Sequence, residues 1–322
     1  MSRKLVRRTA VAACALAAAA ALAGCARPEA AGEYPTKPVN LYIGSTPSGS
    51  TDILGRVLAR SLEQALGQRV VVHNRTGAGG SVMATQLMSS APDGYSLGMT
   101  ISHAYTANPV VTPDAVKYGV EDFTHLASVS KGQCALVTGA DKPYRTLDDV
   151  IAAAKRGGEP VFASQSAVTR LLASYIARVE DVRFRIITVQ GGGELLQAIL
   201  GGHADFGFSG GPHVDHVETG QIRVLASAEE ERLATSPEVP TLKEEGYDIS
   251  SCSLFLVSAP PALPPEIKAT LSTALAEAVR SPEMQALLAS LQYPEHYLGP
   301  DEVTQALEDE AAMIARAVAR LQ

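Results

Sequence analysis

The chain has 322 residues and a formal net charge of -7, with 46% hydrophobic and 5% aromatic residues, four cysteines and no tryptophan. The excess of acidic residues excludes nucleic acid as an expected partner, because a negative surface repels phosphate. A chain of this length exceeds what one hydrophobic core usually serves, which predicts two domains.

The first residues have the pattern of an export signal. Basic residues at positions 3, 4, 7 and 8 precede an alanine-rich apolar segment, which is shorter than the ~20 residues of a membrane-spanning helix. Leu22-Ala23-Gly24-Cys25 then resembles a bacterial lipobox, whose cysteine becomes the lipidated first residue of the mature protein. We therefore predict a lipoprotein signal peptide over residues 1–24, lipidation of Cys25, a tether over residues 25–35 and a periplasmic location on a bacterial membrane. An ordinary cleavage site that precedes Cys25 is the alternative.

Removal of this signal makes the mature chain more acidic. Residues 1–24 carry four positive charges and no negative charge, so their removal changes the formal net charge from -7 to -11. An anionic ligand must then be held by local dipoles and hydroxyl groups, because the field of the whole protein opposes it.

The mature chain begins with a predicted strand, loop and helix. Apolar and polar residues alternate over residues 39–43, turn-forming residues follow to residue 52, and apolar residues recur at helical spacing over residues 53–66. Such a loop directs helix N–H groups and the positive end of the helix dipole at one point, which suits a carboxylate. An ordinary, well-capped turn explains the stretch equally well. The candidate N-caps are Ser50, Thr51 and Asp52, and we interpret Asp52 as a cap rather than a ligand contact.

The next elements complete a βαβαβ pattern. Residues 69–74 are a predicted strand, the Gly-rich turn 75–80 opens a helix over residues 81–90, and residues 95–102 form a third strand. Such units form a largely parallel sheet with right-handed crossovers, and ligands bind at the carboxyl ends of its strands.

A second α/β pattern follows an apolar stretch over residues 123–137. Its strands are predicted at residues 160–163, 184–189, 205–208 and 222–226, with turns at residues 164–166, 190–193 and 209–212. The last apolar stretch is residues 250–257, and three helices are predicted after it, over residues 266–280, 282–291 and 301–321.

The order of these elements predicts the domain organisation. Because no strand is predicted after residue 257, the last helices must pack on a sheet that already exists, and the chain returns to its first domain. The predicted limits are residues 36–130 with 251–322 for domain 1 and residues 131–250 for domain 2.

Two motifs suggest other chemistry, and each match is incomplete. Gly207-Phe208-Ser209-Gly210-Gly211 fits the nucleophile elbow of α/β-hydrolases, but no acid or base candidate follows a strand in the expected way. His213-Val214-Asp215-His216 brings possible metal ligands together, yet exposed helix residues explain it better. No phosphate loop or complete dinucleotide fingerprint occurs. We therefore expect no cofactor, no metal and no catalytic activity, and a serine hydrolase that uses Ser209 is the alternative.

Six stretches carry a resemblance to a known family: Tyr34-Pro35-Thr36-Lys37-Pro38-Val39, Thr51-Asp52-Ile53-Leu54-Gly55-Arg56, residues 71–80, Ala91-Pro92-Asp93-Gly94-Tyr95, Gly191-Gly192 with residues 200–205, and Val239-Pro240-Thr241-Leu242 with Glu245-Gly246-Tyr247. Their order resembles the substrate-binding proteins of tripartite tricarboxylate transporters, the TctC or Bug family of extracytoplasmic solute receptors. The match covers essentially the whole mature chain.

The resemblance implies both a fold and a function. The fold is α/β, a two-domain periplasmic-binding-protein fold of type II-like form, in which each domain has a mostly parallel sheet flanked by helices and two crossing segments form the hinge. The function is that of a monomeric receptor, which binds a small organic acid between its domains and delivers it to the membrane components of a tripartite tricarboxylate-type transporter. A ligand-sensing receptor without a transport role is the alternative.

The predicted carboxylate site has one wall on each domain. Hydroxyl and N–H groups of the first loop are expected to bind one carboxylate. These first-wall residues are Thr46, Ser48, Gly49, Ser50 and Thr51, completed by Gly79, Gly80, Ser102 and His103. The second wall is predicted at Ser164, Ser166, Thr169, Gly191, Gly192 and Ser209.

This sequence departs from the family pattern at positions that affect the ligand. The family usually carries Pro-Gly-Gly in the first loop, and here Pro47-Ser48-Gly49-Ser50 exchanges backbone freedom for two hydroxyl groups. The loop over residues 164–169 has lost its glycines, and Ser209 stands where the family commonly has Asp. The fold tolerates these changes, but the ligand's identity does not follow from the family.

Two cysteines lie in the segments that cross between the domains. Cys134 is in the segment that leaves domain 1 and Cys252 is in the segment that returns to it, and two such segments usually run side by side through the hinge. A disulfide between them is therefore predicted, favoured by an oxidising compartment. The alternative is that each cysteine fills space as a small buried apolar residue.

Overall fold

The structure, a computed structural model, describes residues 34–251 and 253–321. Every strand and helix of the described residues belongs to one compact unit that begins at Lys37. The predicted signal peptide, Cys25 and nearly all of the predicted tether lie outside the described residues. Within the described ranges, no helix is both long enough and apolar enough to cross a bilayer.

Strands and helices alternate through most of the described chain. The first group is β1 (Val39–Ile43), α1 (Ser50–Leu66), β2 (Val70–Asn74), α2 (Ser81–Met88), β3 (Ser96–Ile101), α3 (His103–Thr106), α4 (Asn108–Val111) and β4 (Thr124–Lys131). The second group is β5 (Ala135–Gly139), α5 (Leu147–Lys155), β6 (Val161–Ser164), α6 (Ala167–Val179), β7 (Arg185–Thr188), α7 (Gly192–Leu200), β8 (Phe206–Ser209), α8 (Val214–Glu218) and β9 (Ile222–Ser227). The last group is β10 (Leu254–Ala259), α9 (Pro265–Val279), α10 (Pro282–Ser290) and α11 (Pro300–Leu321).

Sheet A has the strand order β2-β1-β3-β10-β4. Strand β1 is parallel to β2 and β3, so that Leu41 pairs with Val72 on one side and Leu97 on the other. Strand β10 is antiparallel to both β3 and β4. The carboxyl ends of β1, β2, β3 and β4 therefore share one edge of the sheet, and the loops that follow these strands meet there.

Sheet B has the strand order β7-β6-β8-β5-β9. Strand β6 is parallel to β7 and β8, whereas β5 is antiparallel to both β8 and β9. Both sheets are thus mixed, with three neighbouring parallel strands and an antiparallel strand beside them. We call sheet A with its helices the first lobe and sheet B with its helices the second lobe. The predicted α/β architecture of two sheets is confirmed, and the domain limits at residues 130, 131, 250 and 251 stay a prediction.

Helix α1 is amphipathic and lies closely on sheet A. Leu54, Leu58 and Leu62 are fully buried on its inner face. Gly55 allows the close approach, because a Cβ atom there would lie 2.5 Å from Cδ1 of Ile43 and 3.2 Å from Sδ of Met99.

Helix α11 packs into the hydrophobic cores of both lobes. Val303 and Leu307 belong to a cluster with α2 and β10 of the first lobe. Met313 and Ile314, further along the same helix, belong to a cluster with Phe162 and other residues of the second lobe. Helix α11 therefore spans the junction between the lobes, which the sequence pattern does not indicate.

The chain crosses between the lobes beside a buried cysteine. Cys134 is a free, buried cysteine in the structure, and burial raises the pKa of its thiol, with the nearby Glu229 carboxylate adding to the effect. Its carbonyl accepts the N–H of Ala228, whose carbonyl accepts the N–H of Ser251. Cys252 lies outside the described residues, so the disulfide stays a prediction.

Candidate functional site

The predicted ligand residues lie in loops at the carboxyl edges of the two sheets. In sheet A these loops follow β1, β2 and β3, and in sheet B they follow β6, β7 and β8. This edge is where open α/β sheets bind ligands. The structure thus brings each predicted wall together on its own lobe.

The first loop turns tightly into α1. Gly49 is the N-cap of the helix and no side chain caps it, so the predicted capping by Ser50, Thr51 or Asp52 is wrong. Ser48 has a φ of 66°, a left-handed conformation that favours glycine. Thr46 and Ser48 are exposed and Ser50 is half-buried, whereas Thr51 is 6% exposed. The accessible hydroxyls are therefore those of Thr46, Ser48 and Ser50.

Asp52 organises this loop from within. Its Oδ2 accepts the N–H of Ser48 and the Nε–H of Arg56, each at 2.9 Å, and its Oδ1 accepts Nδ2 of Asn74 at 2.8 Å. Burial alone would raise the pKa of Asp52, but these hydrogen bonds and the Arg56 charge outweigh it and the pKa is lowered. Nδ2 of Asn74 also donates to the carbonyl of Ser45 at 3.1 Å, which ties the loop to β2.

The second loop, residues 77–80, has φ angles between 47° and 128° at every position. Asn108 stabilises it, because its Nδ2 donates to the carbonyl of Ala78 at 3.0 Å and to Oγ of Ser81 at 2.9 Å. Gly80 packs against β3 so closely that a Cβ atom would lie 2.3 Å from Oγ1 of Thr100. Of the two predicted ligand glycines, Gly79 is exposed and Gly80 is buried.

Ser102 and His103 contact the returning segment of the chain. Ser102 is fully buried, and its Oγ accepts the N–H of Leu254 on β10 at 3.3 Å. Nε2 of His103 lies 3.2 Å from Oγ of Ser251 and 3.4 Å from Oε1 of Glu310 on α11. His103 therefore contacts the returning segment and the junction helix, and its predicted ligand contact stays untested.

In the second lobe, three predicted hydroxyl groups bond to one another. Ser166 caps α6 by accepting the N–H of Thr169 at 3.2 Å, and its own N–H donates to Oγ1 of Thr169 at 3.1 Å. Oγ of Ser164 donates to the carbonyl of Ser166 at 3.0 Å. Ser164 and Thr169 are buried and Ser166 is exposed, so Ser166 is the accessible hydroxyl of this group.

The other two loops of the second lobe lie against each other. Gly191 has a φ of 86°, and a Cβ atom at Gly192 would lie 3.3 Å from Cγ of Pro212. Ser209 is fully buried at the end of β8, and its Oγ lies 3.1 Å from Nδ1 of His213. His213 is 1% exposed, so the interpretation of this residue as an exposed helix residue is wrong.

Among the described residues, Nδ1 of His213 contacts Ser209 and its other ring nitrogen is unpaired. Burial lowers its pKa to about 4, and its Nε2 has no hydrogen-bond partner among residues 34–251 and 253–321. No cluster of three or more His, Cys, Asp or Glu side chains in these ranges could hold a metal ion.

Tyr293 connects the two walls and is not predicted from the sequence. Its hydroxyl donates to Oγ of Ser50 at 3.2 Å, and its ring faces Gly211 of the second lobe. Tyr293 lies between α10 and α11, far in sequence from both loops. Among the other residues that hold the loops, Arg56 and Asn74 fall in the family-like stretches, whereas Asn108 has no signal in the sequence.

Two cavities lie beside the crossing segments. One of about 550 Å³ is lined by residues that include Glu229, Ser250 and Glu310. Another of about 250 Å³ is lined by residues that include Gln133 and Tyr293. None of the predicted ligand residues lines either cavity. The candidate site is therefore defined by the loops at the carboxyl edges of the two sheets.

The chain is similar to known receptors in sequence. A sequence model described as "Tripartite tricarboxylate transporter family receptor" matches residues 54–321. The UPF0065 protein in the gbd 5' region of Cupriavidus necator is 35% identical over 308 residues, which cover 93% of each chain. BugT of Bordetella pertussis is 33% identical over 296 residues, covering 90% of this chain and 91% of BugT.

Solved structures agree with this assignment. A TctC solute-binding protein from Polaromonas superposes with a TM-score of 0.77 at 26% identity, covering 89% of this chain and 99% of that protein. MatC from Rhodopseudomonas palustris with bound malate (TM-score 0.74, 22% identity, 88% and 100% covered) shares the fold. So does an R. palustris protein with adipate (TM-score 0.76, 23% identity, 89% and 98% covered). The chain therefore belongs to the TctC family of tripartite tricarboxylate transporter receptors, which are periplasmic solute-binding proteins and not enzymes.

Proposed function

We propose that this chain is a lipid-anchored extracytoplasmic receptor that captures a small organic carboxylate between its two lobes for a tripartite tricarboxylate-type transporter. The start of α1 carries this proposal. The first N–H groups of a helix have no partner inside the helix, and the positive end of its dipole favours an anion. Thr46 and Ser48 in the loop before α1 and Ser50, its first residue, carry hydroxyl groups and are at least partly exposed.

The acidic residue nearest this point does not oppose an anion. Asp52 is paired with Arg56 and accepts hydrogen bonds from Asn74 and the Ser48 N–H. Its negative charge is thus balanced locally, even though the whole chain is acidic. Malate and adipate, which two structural neighbours hold, are small carboxylates of the kind proposed here.

A screen of organic acids tests the ligand class. We expect calorimetry or thermal shift to detect binding of at least one member of a panel of malate, adipate, citrate and benzoate. A ligand at a hundredfold its dissociation constant adds ~2.7 kcal/mol to the free energy of unfolding. A parent protein that binds none of these acids, nor wider mono-, di- and tricarboxylates, would contradict the carboxylate proposal.

The role of the first loop is tested by removing two of its hydroxyl groups. The double variant Ser48→Ala with Ser50→Ala is expected to bind the acid that the screen finds at least tenfold more weakly, since a hydrogen bond to a charged group contributes ~1.5–3 kcal/mol. Ser89→Ala with Ser90→Ala is the matched control, because both serines lie after α2, at the opposite edge of sheet A, and bond to helix carbonyls. Equal binding by the loop variant and the parent would contradict this role.

The lipid anchor is tested separately from the ligand. Labelled palmitate is expected to enter the full chain in a bacterial host and to be absent from a Cys25→Ala variant. Labelling that persists in this variant would contradict the anchor, while the ligand proposal would stand.

The hydrolase alternative is tested by a fluorophosphonate probe. Ser209 lies beside His213, but burial lowers the pKa of this histidine to about 4, so it is a weak base at neutral pH. We expect no labelling of Ser209, and labelling that is lost in Ser209→Ala would overturn the receptor proposal.

A further inference from the structure

Tyr293 is held rigidly at the junction of the two lobes. It is 8% exposed, and its ring packs on Phe255 of β10 with ring centroids 5.4 Å apart. The next residues are fastened to β4, because Oγ of Ser130 donates to the carbonyl of Pro294 at 2.7 Å and Leu298 N–H donates to Oγ of Ser128 at 2.7 Å. The phenol therefore has a fixed position.

The phenol determines what the hydroxyl of Ser50 can do. Tyr293 donates its hydroxyl hydrogen to Oγ of Ser50 at 3.2 Å. Since Ser50 accepts this hydrogen, its own hydroxyl hydrogen is free to donate elsewhere, and a chain of two such bonds strengthens both. Ser50 is also the first residue of α1, where the proposed carboxylate lies.

The ring of Tyr293 also contacts the second lobe, at Gly211. Gly211 follows β8, and a Cβ atom there would lie 2.8 Å from Oη and 2.9 Å from Cε1 of Tyr293. Its φ is 147°. The neighbouring Gly210 has open space around its Cβ position, so the close contact is specific to Gly211.

We propose that Tyr293 is a positioning residue that couples the two walls: it orients the Ser50 hydroxyl toward the ligand carboxylate and receives Gly211 when the second lobe closes. This inference rests on the proposed function. Tyr293 acts through Ser50 and through the contact with Gly211, and it need not touch the ligand.

The first experiment measures whether Tyr293 acts through Ser50. Calorimetry with whichever of malate, adipate, citrate and benzoate binds the parent is applied to Tyr293→Phe, Ser50→Ala and the double variant. We expect Tyr293→Phe to weaken binding about two- to tenfold, as for one hydrogen bond, and to add nothing in the Ser50→Ala background. Unchanged binding by Tyr293→Phe, or an equal loss in both backgrounds, overturns the coupling. A thermal midpoint close to the parent's shows that Tyr293→Phe is folded.

The second experiment needs no ligand and tests the contact with the second lobe. Small-angle X-ray scattering of Gly211→Ala, without any added acid, is expected to give a larger radius of gyration than the parent. Gly210→Ala controls for an added methyl group, and Gly246→Ala, with a φ of 94° and open space, controls for backbone strain. A Gly211→Ala protein as compact as both controls overturns the closing contact. If no acid binds the parent, the proposed function fails, and this scattering comparison still decides whether Tyr293 holds the lobes together.

Discussion

Ser48 has a conformation that its residue type disfavours. Its φ of 66° is left-handed, which costs a non-glycine residue about 1 kcal/mol. The bond from its N–H to Asp52 Oδ2 at 2.9 Å holds it there. A glycine at this position would avoid the strain, so the serine hydroxyl comes at the expense of stability.

The strain at Ser48 predicts a reversal of the usual ranking of alanine and glycine. We expect Ser48→Gly to be more stable than Ser48→Ala by about 1 kcal/mol in urea unfolding. At Ser50, inside α1, we expect the opposite order, with alanine more stable than glycine by about 0.5–1 kcal/mol. The same order at both positions would contradict the left-handed conformation of Ser48.

Because His125 is buried, we expect the protein to lose stability in mild acid. It is 2% exposed, its Nε2–H donates to the carbonyl of Val120 at 3.0 Å, and its Nδ1 accepts from Ser258 Oγ at 2.8 Å. Burial lowers its pKa from 6.5 to about 4. Between these values the unfolded chain binds a proton that the folded chain does not, so stability falls as pH decreases from 6.5 toward 4. The expected loss between pH 7 and pH 5 is about 2 kcal/mol for this histidine.

The contribution of His125 is measured by comparing slopes. The free energy of unfolding in urea is measured at pH 7 and pH 5. It should depend less on pH in His125→Gln than in the parent and in His203→Gln, which replaces an exposed histidine. Glu245 acts in the opposite direction, because burial and Asp148 raise its pKa to about 7, and it is present in all three proteins. An unchanged pH dependence in His125→Gln would exclude this role.

The sequence predicts the turn at the candidate site better than it predicts the role of each residue there. Small residues in the first loop predict a tight turn before α1, and the structure has one. The predicted N-cap is wrong because the helix already begins at Ser50, which makes Gly49 the N-cap residue. Tyr293 could not be predicted, since its contacts with Ser50 and Gly211 depend on the packing of distant segments.

At the level of elements, α1 depends on a glycine for its packing. A Cβ atom at Gly55 would overlap Cδ1 of Ile43. We expect Gly55→Ala to lower the free energy of unfolding by about 1–3 kcal/mol, as other overpacked cores do. Gly193→Ala in α7 is the control, because open space surrounds that position and alanine favours a helix. Equal stability of the two variants would show that α1 can shift away from the sheet.

Periodicity predicts the long elements well and the short ones poorly. The predicted helix over residues 53–66 lies inside α1, and the predicted strand over residues 95–102 contains β3. The apolar stretch over residues 123–137 is two strands, β4 and β5, in different sheets. A continuously buried run has no periodicity to mark the change of lobe, and the four-residue helices α3 and α4 are too short to show one.

At the level of the whole molecule, α11 packs into the cores of both lobes. It has 22 residues, a length of about 33 Å, with Val303 in one core and Ile314 in the other. Arg320 near its end donates to the hydroxyl of Tyr175 on α6. If the lobes close on a ligand, α11 must therefore bend, or its second half must shift against one of the two cores. The sequence could not predict that α11 packs into both lobes, because an apolar helix face does not indicate which core it contacts.

The position of β10 in sheet A also determines the order in which the chain can fold. Strand β10 lies between β3 and β4, yet residues 135–227, with all the strands of sheet B, precede it in the chain. A chain that emerges N-terminus first can complete sheet B before β10 is available. Until then, the edges of β3 and β4 that will pair with β10 remain unpaired. Such edges invite pairing with other chains. When the whole chain refolds, pairing of β10 with β3 and β4 closes a much longer loop than pairing of β6 with β8, and so it is expected to be slower. In pulse-labelled hydrogen exchange during refolding, we expect the amides of β6 and β8 to be protected before those of β3 and β4 that pair with β10. The reverse order would exclude this sequence of events.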